Sequence, residues 1–169
     1  MGRWYGFNPW TFIPEGRITG ICIANGVVID SIRFTYKDYN HVSHHSDTFG
    51  GDGGTNHTVS STYYIIINVW ILSSYFYHKP FMCMVNVFGY QFNLEGNEDI
   101  IRVSGTTGEI YSITVITSLS FHTNKGKTYG PYGTDGGTIF SLPVTKGKLI
   151  GFFGDYGDFL DSFGVILKP

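Results

Sequence analysis

One unit recurs three times in this chain: a glycine-led turn, then Asp or Tyr followed by Ser, then a strand in which apolar and polar residues alternate. It reads GVVIDSIRF at 26–34, GEIYSITVITSLSF at 108–121 and GDFLDSFGVIL at 157–167. Alternation with period two puts one face of each stretch in a core and the other toward water. No window of useful length holds the i, i+3, i+4, i+7 spacing of an amphipathic helix. The fold class is therefore all-β, and three related units in 169 residues predict one domain with threefold β architecture.

The first two units are followed by loops of aromatic residues and glycine, FGGDGGT at 49–55 and YGPYGTDGGT at 129–138. The third unit runs to the C-terminus, so its glycine loop has to come from the N-terminus. One sheet should then be built from both ends of the chain.

Charged residues make up 14% of the sequence, the net charge is −2, and no cluster of Lys or Arg occurs. Nothing is present to displace counterions from a phosphate backbone, which argues against nucleic acid as a partner. The N-terminal MGRWYGFNPW has no apolar core of a signal peptide and no myristoylation pattern, so a cytosolic, reducing home is expected. In that setting Cys22 and Cys83, isolated in apolar segments, read as small buried hydrophobes, and the Asn56-His57-Thr58 sequon stays unmodified.

The acidic stretch GDYGDFLDSFG, 154–164, carries Asp155, Asp158 and Asp161 three apart. A helix-loop-helix calcium site needs D-x-D-x-D-G with a distant Glu, which is not supplied here. The histidines of HVSHH (His41, His44, His45) fall in a polar loop without a fourth ligand, so no metal or other cofactor is expected. Glycoside hydrolysis needs two carboxylates on opposite sides of the scissile bond, whereas Asp158 and Asp161 share one short loop, and no nucleophile elbow occurs. Catalysis is therefore not expected. Sugar binding asks for less: an ionised carboxylate to accept from adjacent hydroxyls and nearby backbone N–H groups to donate.

The series GVVIDSIRFTY, FGGDGGT, VITSLSFHTNKGKTYGPYG and GTIFSLPVTKGKLIGFFGDYGDFLDSFGV resembles the jacalin-related plant lectins of mannose-binding type, over residues 8–58 and 92–169. The resemblance implies a β-prism I fold of three four-stranded Greek-key sheets, one assembled from both chain ends. It also implies a metal-independent lectin for mannose- or glucose-containing glycans, a homo-oligomer without enzymatic activity or a membrane span. Galactose-preferring relatives depend on a cleavage that creates a new glycine amino terminus, and no sign of it is present.

In that family the loop G-D-x-x-D holds the sugar. Carried over, this gives Gly157, Asp158, Phe159 and Asp161, with Asp161 accepting from O4 and O6 and the amides of Asp158 and Phe159 near O5 and O6. Asp155 is read as a turn residue. The family completes the site with an N-terminal glycine loop, here reduced to Gly6 and Phe7 ahead of Trp10. Phe7 adds bulk where a sugar approaches and resists positive φ. A defence or stress interaction protein that no longer binds sugar is the alternative that Phe7 favours. Pseudo-symmetry offers a second site at Gly53, Gly54 and Asp30, with Val27 where the first acid should stand. The loop 133–137 faces Tyr111 instead of an acid and is expected to serve only as a turn.

Residues from about 60 to 91 do not fit. This apolar, aromatic run interrupts the single domain 1–169, and its removal would join TNHTV to FNLEGNEDI as one alternating strand. A membrane anchor, an extra hairpin on the prism and translated non-coding sequence compete. The first is too short for a bilayer, which needs roughly 20 apolar residues. The third is favoured because Val59-Ser60 permits a GT start and Gln91 an AG end at the codon level. It expects the form lacking the insert to be more soluble.

Overall fold

The computed structural model describes residues 8–51 and 89–169. Among these are strands β1 (Asn8–Phe12), β2 (Gly16–Asn25), β3 (Ile29–Asp38), β4 (Ser43–Gly50), β5 (Gly89–Asn93), β6 (Ile100–Ile110), β7 (Ile113–Thr123), β8 (Thr128–Gly133), β9 (Thr138–Pro143), β10 (Lys148–Tyr156) and β11 (Leu160–Lys168). No helix among the described residues is long and apolar enough to cross a membrane.

The strands form three antiparallel sheets, ordered β1-β10-β11, β4-β3-β2-β5 and β8-β7-β6-β9. In each four-stranded sheet three consecutive strands form a meander and the fourth returns beside the first, which is the Greek-key order. The remaining sheet unites the two chain ends, with Trp10 of β1 opposite Gly154 of β10. The chain-end sheet matches the expectation from the repeated units, whose hairpins are β2–β3, β6–β7 and β10–β11, and the Greek-key order is the one the family resemblance implied, but among the described residues the chain-end sheet has three strands and not four.

Each sheet sends large apolar side chains to a common axis. Phe34 of β3, Phe121 of β7 and Phe152 of β10 are completely buried. Phe34 stacks on Phe152 at 4.9 Å and on Phe12 at 4.8 Å, and Phe121 meets Phe152 edge-on at 6.5 Å. Aromatic pairs of this kind contribute about 0.5–1.5 kcal/mol beyond the area they bury. Trp10 seals the flank, stacked on Phe49 at 4.3 Å, and so ties the chain-end sheet to β4.

Several placements depart from the sequence reading. Cys22 is buried on β2 as expected, but it is disulfide-bonded, and its partner lies outside the described residues, as does the Asn56 sequon. Another concerns the interrupting segment: Gly89, Tyr90 and Gln91 already belong to β5, paired with Ala24, Ile23 and Cys22. The rest of that segment lies outside the described residues. His44 does not sit in a solvated cluster alone; its Nε2 lies 2.9 Å from Asp38 Oδ2 across the β3–β4 hairpin. Among the described residues no group of His, Cys, Asp and Glu is arranged to hold a metal ion.

One buried carboxylate organises the end of the prism at the β5–β6 loop. Glu98 is fully buried and accepts hydrogen bonds from Thr123 Oγ1 (2.9 Å), Tyr129 Oη (3.2 Å), Lys127 Nζ (3.3 Å) and the Glu95 amide (3.1 Å). Burial pushes its pKa up, but the bonds from Glu95, Thr123, Lys127 and Tyr129 outweigh burial and hold it below the ordinary 4.5. A depressed carboxylate stabilises the fold above its unfolded pKa, and that stability is lost as pH falls through the folded value. Glu98→Gln is expected to lower the melting temperature at neutral pH and to flatten its decline on acidification, as followed by calorimetry between neutral pH and pH ~3.

Candidate functional site

The β10–β11 hairpin turns at Gly157, Asp158 and Phe159, and the turn is closed by the Gly157 amide donating to the Phe159 carbonyl at 3.0 Å. Closing it this way leaves the Phe159 amide unused by the closing bond. Asp158 is exposed at the tip, Gly157 and Phe159 are half-buried, and Leu160 anchors the base in the core. Asp161 follows as the second residue of β11, half-buried beside the turn. The structure therefore brings Gly157, Asp158, Phe159 and Asp161 together on one hairpin end, as the sequence requires of a single loop.

Asp155 is not a turn residue. It lies in β10, paired with Ser162 of β11, where its amide donates to Ser162 Oγ at 2.9 Å and Ser162 Oγ–H donates to Asp155 Oδ2 at 3.0 Å. The spacing of three between the acids suggested one bend, but the strand runs on to Tyr156 because the ladder with β11 continues that far. The consequence is electrostatic. Burial, with the charges of Asp155 and Asp158 in support, pushes the Asp161 carboxyl up to about 6.

β1 approaches the same corner, with Asn8 opposite Tyr156 and its side-chain amide donating to the Tyr156 carbonyl at 3.1 Å. Gly6 and Phe7, which the sequence assigns to the opposite wall of the site, lie outside the described residues. So do Gly53 and Gly54 of the second candidate site.

The pseudo-symmetric loops at the same end differ from this one in ways the backbone explains. Asp30 occupies the second position of β3, equivalent to Asp161 in β11, but it is only 5% exposed. Burial raises its pKa, opposed by a hydrogen bond from the Gly26 amide. Val27 stands exposed in the turn before it. The β6–β7 hairpin closes on two residues, Tyr111 (φ 52°) and Ser112 (φ 65°), both left-handed as a type I′ turn demands. So tight a turn leaves no room for the three-residue bend of 157–159.

A residue that sequence reasoning passed over is Gly51, immediately after β4. Its amide donates to the Asp30 carbonyl at 3.2 Å, and its α-carbon lies flush on the backbone of Asp158. Its signal in the sequence is the FGG of FGGDGGT, one of two glycine pairs in that loop.

The molecule thus combines three antiparallel sheets, two of them in Greek-key order, with an acidic hairpin turn at the end of the sheet that both chain ends share. The jacalin-like lectin domain matches residues 1–166. The chain belongs to that family. The Maclura pomifera agglutinin alpha chain is 51% identical over 72 residues, 43% of this chain and 53% of that protein. A galactose-specific lectin from Morus indica is 48% identical over 68 residues, 40% of this chain and 43% of its own length. The mannose/glucose-specific lectin of Parkia pendula is 34% identical over 178 residues, covering 100% of this chain but 32% of that protein. The chain thus spans about half or less of the length of these three relatives. Among solved structures, Malaysian banana lectin has a TM-score of 0.69 at 29% identity, covering 100% of this chain and 96% of that one. An artocarpin–mannopentose complex has a TM-score of 0.67 at 26% identity, covering 98% and 92%. The jacalin-like fold is therefore a β-prism here as in those neighbours, and the family is one of lectins and not of enzymes.

Proposed function

We propose that this jacalin-like chain binds hexoses of the mannose/glucose class through the β10–β11 turn, with Asp161 accepting from two sugar hydroxyls and the Asp158 and Phe159 amides donating. The observation that carries the reading is the half-buried Asp161 carboxylate beside a three-residue turn whose closing bond does not consume the Phe159 amide. A partly desolvated anion beside amide donors is complementary to vicinal hydroxyls, which donate and accept at once. Phe159, half-buried at the same turn, offers an apolar face to the ring.

Mannose/glucose preference is supported by the Parkia lectin, whose match extends over the whole of this chain, while the match to the galactose-specific Morus lectin is confined to 68 residues. A single shallow site of this size binds a monosaccharide at about millimolar strength, near 4 kcal/mol. Useful avidity follows from several chains acting together, each adding effective concentration for the next.

The test is retention on immobilised mannose followed by a glycan array with mannose, glucose and galactose arms. Elution by methyl α-mannoside supports the proposal; preference for galactose overturns the specificity; a folded protein that is retained by none overturns sugar binding and favours the interaction-protein reading that Phe7 raises. The same assay on the chain lacking 60–88 tests whether that stretch is needed for binding.

A pH dependence follows from the site itself. Only the ionised Asp161 can accept from two hydroxyls, and in the free protein its carboxyl titrates near 6. Affinity is expected to hold above neutrality and to fall as pH drops through about 6, by up to tenfold per unit below it. Asp155→Asn removes one of the charges that raise Asp161, and should shift the midpoint down. Isothermal titration with methyl α-mannoside from pH ~8 to ~5 reads both effects.

A further inference from the structure

We propose that Gly51 is a positioning residue for the sugar turn: it braces the backbone of Asp158 against the β3 strand and so sets where the Asp158 and Phe159 amides stand. The inference rests on the lectin reading above and adds to it a residue from a different sheet.

The geometry is a backbone-on-backbone contact. Gly51 donates its N–H to the Asp30 carbonyl at 3.2 Å, which fixes it to the first residues of β3. On its other side, a Cβ built on Gly51 would lie 2.8 Å from the Asp158 carbonyl carbon, 2.9 Å from its Cα and closer still to its carbonyl oxygen. Real Cβ atoms do not approach backbone so closely, and a carbonyl has no rotamer by which to yield. Only glycine lets the end of β4 lie against the turn at this height. The requirement is steric alone, because Gly51, unlike Gly50 (φ 131°), does not occupy the left-handed region.

The turn from Gly157 to Phe159 is closed by the 3.0 Å bond from the Gly157 amide to the Phe159 carbonyl, and Asp158 at its tip is exposed. Binding groups must be held to within about 0.5 Å to act together. The brace from β4 supplies that restraint from the neighbouring sheet, and it links the turn to the backbone of Asp30, the equivalent position in that sheet.

Gly51→Ala must push the Asp158 backbone away. The expected result is a loss of about tenfold or more in methyl α-mannoside affinity, with the Asp161 carboxyl titration displaced by about half a unit in carbon-detected NMR. Gly136→Ala, where a Cβ meets nothing within 4 Å, should change neither. Gly50→Ala is the control for general damage, since its Cβ would collide with Asp30 and Ser31 instead of Asp158.

Unchanged affinity and titration in Gly51→Ala overturn the proposal, and so does an equal loss of affinity in Gly50→Ala at the same melting temperature. If the wild type binds no sugar, the lectin reading fails by itself, and the Asp161 titration still decides whether Gly51 sets the turn. Should Gly51→Ala not fold, the wild-type amide of Gly51 is followed during mannose titration. A shift there larger than at Gly136 supports the brace; no shift overturns it.

Discussion

Asp161→Asn is expected to abolish measurable binding of methyl α-mannoside. The substitution keeps the shape of the side chain and removes the charge, so one oxygen acceptor remains where the carboxylate offered two. Hydrogen bonds to a charged group contribute about 1.5–3 kcal/mol each, so losing one bond together with the charge that strengthens the other weakens binding by roughly 100-fold. Starting from about millimolar affinity, such a loss puts the variant beyond detection by titration calorimetry or mannose-agarose retention. Misfolding would not be the cause. The Asp161 carboxyl is pushed up to about 6 by burial and by Asp155 and Asp158, so above that pH its charge works against the folded state. The neutral amide relieves that repulsion, and the melting temperature of Asp161→Asn at pH ~7.5 should equal or exceed that of the wild type. A variant that melts normally and still binds mannose would remove Asp161 from the site.

The difference between Asp161 and Asp30 shows what the sequence carried and what it did not. Both follow a glycine-led turn, both precede Ser, and each is the second residue of a strand, so the repeat was legible from spacing alone. The alternation of apolar residues through β3, β7 and β11 likewise determined which faces turn inward, and with them the threefold arrangement. Exposure was not legible: Asp30 is buried, with the Gly26 and Gly51 backbone beside it, whereas Asp161 is partly open. Asp155 was misjudged for a related reason. Its neighbours glycine and tyrosine suggest a bend, but the cross-strand ladder to Ser162 carries β10 past it. Gly51 was missed because its role depends on a contact between sheets, with Asp158 more than a hundred residues away in the chain. Local pattern specifies strands and turns; long-range packing specifies which turn becomes a site.

The fold itself should depend most heavily on the aromatic axis, and Phe34→Ala is expected to be among its most damaging single substitutions. Phe34 is fully buried and lies at the meeting point of the sheets, stacked on Phe12 at 4.8 Å and Phe152 at 4.9 Å and within 6.2 Å of Trp10 and Phe49. Its partners come from β1, β4 and β10, so the ring joins the chain-end sheet to the sheet of β2–β5. Truncation removes the apolar burial and leaves a cavity that rigid ladders on all sides cannot close, a combination that costs about 3–5 kcal/mol. In a domain of this size that amounts to a fall of about 10 °C in melting temperature. Phe34→Leu keeps most of the volume but loses the stacking, and should fall roughly midway. Calorimetry on both variants distinguishes packing from a local effect at the sugar turn: Phe34→Leu should keep wild-type affinity below its melting transition, because the ring touches no residue of the 157–161 hairpin end among its aromatic contacts. Loss of binding in a folded Phe34→Leu protein would mean that the axis and the turn are coupled, and that the β10–β11 hairpin is held in place by the core as well as by Gly51.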